Sequence, residues 1–78
     1  MLALLKDLIT SNPFEEEVNF ENQGLLHFDP HSVDLLGRFA ALKKINLSDN
    51  EIRKLPNDLS HLSRIQELNI SGNPIDNL

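Results

Sequence analysis

Residues 42 to 56, LKKINLSDNEIRKLP, decide the fold of this chain. Their apolar residues are spaced neither like one face of an α-helix nor like the alternating face of a strand. When residues 42 to 55 are moved forward by 23 positions, they fall on residues 65 to 78, IQELNISGNPIDNL, with five identities and three exchanges between aliphatic residues. The identical pairs are Asn46 with Asn69, Ser48 with Ser71, Asn50 with Asn73, Ile52 with Ile75, and Leu55 with Leu78. This agreement predicts an internal repeat.

The order of polar and apolar residues within one copy predicts a strand followed by a sharp turn. Ile45 and Leu47 alternate with Asn46, so in an extended chain both aliphatic side chains point to one side, towards a core. Asn50 stands where the chain leaves the strand, and its amide can satisfy backbone groups that the turn removes from the sheet. Asn73 is expected to do the same in the next copy, so that the two amides form a ladder of structural asparagines.

A third, less regular copy precedes these two. With a shift of 27 positions, five residues align with the apolar and amide positions of residues 45 to 55, namely Val18, Phe20, Gln23, Leu25 and Phe28. The extra residues fall in DPHSVDLLGRFAA, residues 29 to 41, where Asp29 can cap an α-helix and Pro30 can occupy its first position. The expected inward stripe of this helix comprises Val33, Leu36, Phe39 and Ala40.

Another helix is predicted at the beginning of the sequence, and a helical turn between the two regular copies. In MLALLKDLIT the apolar residues fall on one helical stripe, and Lys6 and Asp7 lie on the other side. The stripe comprises Leu2, Leu5, Leu8 and Ile9. We expect this helix to cap the end of a core; binding to a membrane surface, or to a calmodulin-like partner, is the alternative. Leu59 and Leu62, three residues apart, fit a short helical or 3₁₀ turn.

The segment from Leu42 to Arg64 follows the pattern L-x-x-L-x-L-x-x-N-x-I-x-x-L-P-x-x-L-x-x-L-x-x and resembles the leucine-rich repeat family. Its length and its Leu55–Pro56 pair resemble the intracellular group that includes Ras-suppressor and Scribble-type proteins. The resemblance implies an α/β fold, a short right-handed solenoid with a parallel concave sheet and an N-terminal helical cap. The predicted segments are a cap (1–17), a degenerate first repeat with a convex helix (18–41), a full repeat (42–64) and a truncated last repeat (65–78).

Composition narrows the classes of partner and the location. The 78 residues have a net charge of −5, which disfavours nucleic acid and anionic membrane surfaces as partners. The basic cluster of Lys43, Lys44, Arg53 and Lys54 is too small to reverse this. There is no cysteine, which excludes disulfides and thiolate metal ligands. Because charged residues interrupt the first apolar run, no secretory signal is recognised, and we expect a cytoplasmic protein.

Residues suited to catalysis or metal binding are few. His27 and His31 are four positions apart, as in a metal pair on a helix, but no third ligand is near them in the sequence. Ser48 and Asp49 are adjacent rather than arranged as a nucleophile and its base. We therefore expect no enzyme activity, no metal and no cofactor.

The predicted binding surface is the concave side of the sheet, where the resemblance implies that other proteins bind. Its expected contact residues are Asn19, Lys44, Asn46, Ser48, Glu67, Asn69 and Ser71, with Glu17 and Glu21 at its margin. No aromatic residue lines this face, and interface hot spots favour Trp, Tyr and Arg. A solvated face without a partner is therefore the alternative.

Three functions follow from this fold. The preferred one is a non-catalytic protein–protein interaction module, the N-terminal part of an intracellular leucine-rich repeat protein. The second is the substrate-targeting arm of a larger enzyme such as a kinase, phosphatase or ubiquitin ligase. The third is self-assembly, for example as a homodimer, through an open C-terminal end that exposes Leu68, Ile70 and Ile75.

Overall fold

The computed structural model describes residues 2 to 76. Within them, helical and extended segments follow one another along the chain: α1 (Leu2–Ser11), β1 (Glu17–Asn19), α2 (Pro30–Gly37), β2 (Lys44–Asn46), a 3₁₀ turn (Ser60–Leu62) and β3 (Glu67–Asn69). None of these helices is long and apolar enough to cross a membrane. Met1, Asn77 and Leu78 lie outside the described residues. The ends of the predicted segments 1–17 and 65–78, and the match of Leu55 with Leu78, therefore lie outside them too.

The three strands form one parallel sheet in the order β1, β2, β3. Val18 lies beside Ile45, and Ile45 beside Leu68, which are the pairs that the shifts of 27 and 23 positions predict. A helix or a 3₁₀ turn separates each strand from the next and returns the chain to the same end of the sheet, as parallel strands require. The predicted combination of helices with a parallel sheet is confirmed, and so is the short turn at Leu59 and Leu62.

Helix α2 begins at the predicted cap. Asp29 has extended backbone angles, and its Oδ1 accepts a hydrogen bond from the backbone N–H of Ser32 at 2.9 Å. This bond, more than any other contact, holds the pKa of Asp29 below its usual value, against the opposing effect of partial burial. Pro30 follows at the first helical position, where its missing N–H would be unpaired in any case.

The inward stripe of α2 differs from the prediction at one position. Val33, Leu36 and Phe39 are buried, but Ala40 is exposed. The helix ends at Gly37, and Phe39 N–H bonds to the Leu36 carbonyl, three residues back. Such bonds tighten the last turn and change the direction of the side chains that follow it. The prediction of an inward Ala40 is therefore wrong.

The buried hydrophobic residues form one continuous cluster. Helix α1 contributes Leu5, which is completely buried, while Leu2, Leu8 and Ile9 are half-buried against the cluster. Helix α1 contacts α2, and α2 contacts the 3₁₀ turn of the following copy, which contributes the buried Leu62. The core thus extends from the first helix through the second copy of the repeat, residues 42–64.

Each strand is followed by a turn residue with left-handed backbone angles. These residues are Asn22, Asp49 and Gly72, with φ of 54°, 57° and 73°. They occupy equivalent positions in the three copies, one residue before Gln23, Asn50 and Asn73. A Cβ atom on Gly72 would meet the carboxylate of Asp49 and would lie 3.1 Å from the Asp49 backbone nitrogen. Glycine therefore fits the third copy best, although Asn22 and Asp49 adopt a similar φ.

Candidate functional site: the outward face of the sheet

The outward face of the sheet presents two rows of polar side chains. In each strand the central residue faces the core and its two neighbours face outward. The strand register aligns Glu17, Lys44 and Glu67 in one row, and Asn19, Asn46 and Asn69 in the other. Because neighbouring strands are about 4.8 Å apart, equivalent side chains repeat at about that spacing. Five of the six side chains are exposed, and Asn46 in the middle strand is half-buried.

The asparagine row ends each strand with the same hydrogen bond. In all three residues, Oδ1 accepts from the backbone N–H two positions later; the donors are Glu21, Ser48 and Ser71, at 3.1, 3.0 and 3.1 Å. This arrangement is an Asx turn, which directs the chain out of the strand. The three Oδ1 atoms are therefore occupied, whereas the Nδ2 amides donate to no acceptor within residues 2–76 and are available to a partner.

This internal role of the asparagines was not predicted from the sequence. The sequence does contain a signal for this turn. Asn46 and Asn69 each stand at the end of a strand, and each is followed two positions later by a serine. Both serine hydroxyls also donate to the same Oδ1, at 2.7 Å in the second copy and 2.8 Å in the third.

The prediction that Ser48 contacts a partner is wrong, because its side chain is buried. Ser48 is 4% exposed, and its Oγ lies between Asn46 Oδ1 and Glu21 Oε1, 3.4 Å from the latter. Ser71, its equivalent, makes the same bond to Asn69 but is exposed. The difference is one of position, since Ser48 has a copy of the repeat on either side of it.

Asn50 ties the first copy to the second. It is 5% exposed, and its Oδ1 accepts hydrogen bonds from the backbone N–H groups of Gln23 and Leu25, at 2.9 and 3.0 Å. Its Nδ2 donates to the carbonyls of Phe20 and Leu47, both at 2.9 Å. One side chain thus satisfies buried backbone groups of two successive turns, whose unpaired burial would be costly.

Asn73 makes the equivalent contacts between the second and third copies, but it is only half-buried. Its Oδ1 accepts from Ile52 N–H at 3.1 Å, and its Nδ2 donates to the carbonyls of Leu47 and Ile70 at 2.9 Å. Gln23, which occupies this position in the first copy, is exposed and bonds through Nε2 to Glu21 instead. It therefore does not act as a further member of the asparagine ladder.

The charged row of the face is not neutralised by direct contacts. Lys44 lies between Glu17 and Glu67, yet it forms no ion pair within the described part of the chain. The neighbouring Lys43 does pair with Glu16, at 3.7 Å between Nζ and Oε1. The alternating charges of the row remain accessible to a partner.

The face contains only a shallow depression and is suited to contacts spread over an area. The depression between the two rows has a volume of about 110 Å³, which is below the roughly 300 Å³ at which small-molecule sites begin. In residues 2 to 76, no three histidine or acidic side chains are placed to hold a metal ion. His27 and His31 therefore have no third ligand in the part of the chain that the structure describes.

Comparison with known proteins identifies a family. A family model described as "Leucine rich repeat" matches residues 21–75, more than half of the chain. A curated protein of Arabidopsis thaliana, named as a probably inactive leucine-rich repeat receptor-like protein kinase, is 34% identical over 62 residues, which cover 69% of this chain. This chain spans only 8% of the length of that protein. No solved structure matches.

The Arabidopsis relative also corrects the expected location. Its name is that of a receptor-like kinase, so the prediction of a cytoplasmic protein is wrong. That prediction is based on Lys6 and Asp7, which interrupt the first apolar run. The repeat needs the same residues for its core in any aqueous compartment. The narrower resemblance to the Ras-suppressor and Scribble-type group is not confirmed.

Proposed function

We propose a binding function for this chain, which belongs to the leucine-rich repeat family: it is a non-catalytic module that holds another protein against the outward face of its sheet. The observation that supports this most directly is the alignment of equivalent polar side chains across three strands. Repetition of one contact geometry at about 4.8 Å intervals suits an extended protein surface better than a compact small molecule.

The shape of the module follows from the unequal width of its two sides. Strands occupy about 4.8 Å each, whereas a helix with its side chains is about 10 Å wide. Placing α2 and the 3₁₀ turn opposite the sheet would therefore make the sheet side concave. We propose a short right-handed solenoid, since crossover connections between parallel strands are right-handed in nearly all proteins. Helix α1, through the buried Leu5, would close its first end as a cap.

The proposed contacts are those outward side chains that still have donors or charges to offer. They are Asn19, Lys44, Asn46, Glu67, Asn69 and Ser71, with Glu17 and Glu21 at the margin of the face. Ser48 is no longer included, because it is buried. Because this set contains three carboxylates and one ammonium group, it favours a partner surface that is basic overall.

The decisive experiment reverses charges on the face without changing the net charge. Lys44→Glu with Glu67→Lys alters two exposed residues that make no ion pair in the described chain. The matched control, Glu51→Lys with Arg64→Glu, makes the same exchange at exposed positions off the strands. Each chain is used to capture proteins from an extract of the source cells. The proposal is supported if the parent and the control retain a protein that the face variant does not. Equal retention by both variants would contradict it, provided that circular dichroism shows both folded.

A second candidate is the targeting segment of a larger protein. It is favoured by the relative, whose name includes a protein kinase and of which this chain matches 8%. The encoding transcript should then continue into a kinase-like or other catalytic domain. A transcript with no further domain would remove this candidate and leave the binding proposal intact.

A third candidate is a homodimer formed through the third copy. Leu68, Ile70 and Ile75 are half-buried, and β3 has a strand neighbour on one side only within residues 2–76. Such an edge can pair with another chain. Leu68→Asp should abolish a concentration-dependent dimer in sedimentation equilibrium; a dimer that survives this change must use another surface.

A further inference from the structure

A pocket lies away from the sheet face, between residues 26–30 of the first copy and residues 53–56 of the second. Its volume is about 470 Å³, enough to receive several atoms of a large side chain and its neighbours. Leu26, which is 58% exposed, and the buried Phe28 supply its apolar surface. The Leu25 carbonyl accepts from Glu51 N–H at 2.8 Å, so the two segments that form the pocket are held side by side in the free chain.

The rim of this pocket is basic although the chain is acidic. Arg53 and Lys54 line it, and neither belongs to an ion pair within residues 2–76. Asp29 also lines the pocket and keeps its negative charge, although its Oδ1 accepts from the backbone N–H and the hydroxyl of Ser32, at 2.9 and 3.0 Å. The rim therefore carries two cations and one anion. Two exposed cations above an apolar surface favour a ligand that combines carboxylates with a hydrophobic group.

The chain itself contains such a segment, in the turn between α1 and β1. Phe14 is 70% exposed, the highest value among the exposed large hydrophobic side chains of residues 2–76. Glu15, Glu16 and Glu17 follow it directly. Within residues 2–76, Phe14 does not belong to the hydrophobic cluster. An exposed aromatic ring beside three acids has the composition that the pocket would select.

We propose that the pocket formed by Leu26, Phe28, Arg53 and Lys54 docks the Phe14–Glu17 turn of a second copy of this chain. The phenyl ring enters against Leu26 while the glutamates that follow it approach Arg53 and Lys54. This contact differs from the β3 edge, and it shares only Glu17, at the margin, with the sheet face. Because its charges lie at the solvent-exposed rim, association is weak and decreases with increasing salt.

The proposal is tested with a labelled peptide of residues 11 to 19, SNPFEEEVN, titrated into the whole chain by NMR. Shifts are expected in the amides of residues 26–30 and 53–56. Arg53→Gln with Lys54→Gln should weaken binding by roughly fivefold or more, as expected for the loss of two exposed ion pairs. The control, Lys6→Gln with Arg64→Gln, removes the same charge at exposed positions outside the pocket and the sheet face, and should change binding less than about twofold. A peptide with Phe14→Ser should bind far more weakly than the parent.

Self-docking is then measured on the intact chain. Sedimentation equilibrium should detect association that Phe14→Ser reduces and Leu68→Asp does not. Equal weakening of peptide binding by both charge variants would overturn the proposal, since the effect would then be one of net charge. Peptide binding with an intact chain that stays monomeric at millimolar concentration would also overturn it, and would assign the pocket to an acidic segment of another protein.

Discussion

The second and third copies of the repeat share their pattern but differ in burial. Ile45, Leu47 and Ile52 are at most 1% exposed, whereas their equivalents Leu68, Ile70 and Ile75 are only half-buried. Ser48 and Asn50 are buried, and Ser71 and Asn73 are not. The second copy is covered on both sides and the third, within the described residues, on one. The same residue therefore differs in its contribution to stability according to its neighbours, as expected for a repeat whose copies cannot bury their apolar side alone.

The largest difference in the loss of stability is expected between two isoleucines at equivalent positions. Ile52→Ala should reduce the free energy of unfolding by about 3 kcal/mol, because Ile52 is completely buried. Ile75→Ala, at a half-buried position, should reduce it by about 1 kcal/mol. Urea denaturation followed by circular dichroism measures both. So small a domain is only marginally stable, and Ile52→Ala could unfold it. Ile52→Val and Ile75→Val give the same comparison with losses in unfolding free energy about a third as large. Equal losses would contradict the role assigned to neighbours.

Replacing the turn asparagine should likewise destabilise the chain more in the second copy than in the third. Asn50→Ala leaves backbone groups of Gln23, Leu25 and Leu47 without their partner in a buried site, a loss of about 2 to 3 kcal/mol. Asn73→Ala should cost about 1 kcal/mol, since water can reach the groups that it leaves unpaired. Amide exchange at Leu25 should accelerate in the first variant and not in the second. If Leu25 is equally protected in both, Asn50 does not hold the two copies together.

A smaller effect is expected at the left-handed turn position. Gly72→Ala should destabilise the chain by about 1 to 2 kcal/mol, through its positive φ and the collision with Asp49. Asp49→Gly relieves an unfavourable φ but adds freedom to the unfolded chain, so its net effect should be within about 0.5 kcal/mol. The midpoints of urea denaturation report both. A tolerated Gly72→Ala would show that the third copy adjusts more readily than the second.

The smallest effect compares the acid sensitivity of two carboxylates that accept a backbone hydrogen bond, Asp29 in the first copy and Asp58 in the second. The pKa of Asp29 is lowered chiefly by the hydrogen bond from Ser32 N–H, so the folded state favours its carboxylate. Its contribution is therefore present above the ordinary value of 3.8 and is lost as the pH falls through the lower folded value. Asp29→Ala should cost about 1 kcal/mol at pH 7, and less below pH 4.

Asp58 provides the matched comparison. Its pKa is also lowered, and the main cause is the side-chain hydrogen bond with Ser60. Unlike Asp29, however, its carboxylate is fully exposed. Asp58→Ala should therefore change the acid sensitivity of unfolding less than Asp29→Ala does. Unfolding curves between pH 2.5 and 7 test this. The reverse order would mean that the 3₁₀ turn depends on the Asp58 carboxylate more than helix α2 depends on Asp29.

Local features of this fold were predictable from the residues. Asp29 and Pro30 have the chemistry of a helix start, and α2 begins there. The end of α2 was less predictable, because Ala40 fits a continued helix and the observed turn depends on how Phe39 packs. On the sheet face, alternation correctly predicted an outward Asn46, but it could not indicate that Ser48 folds back between two neighbouring copies.

The repeat, and the pairs of residues that lie side by side in the sheet, can be read from spacing along the chain. The shifts of 27 and 23 positions specify Val18 beside Ile45 and Ile45 beside Leu68. Spacing does not specify which equivalent residues are buried, or that residues 26–30 and 53–56 line a pocket. Burial and pockets arise between copies, where side chains distant in sequence meet, so no single copy contains that information.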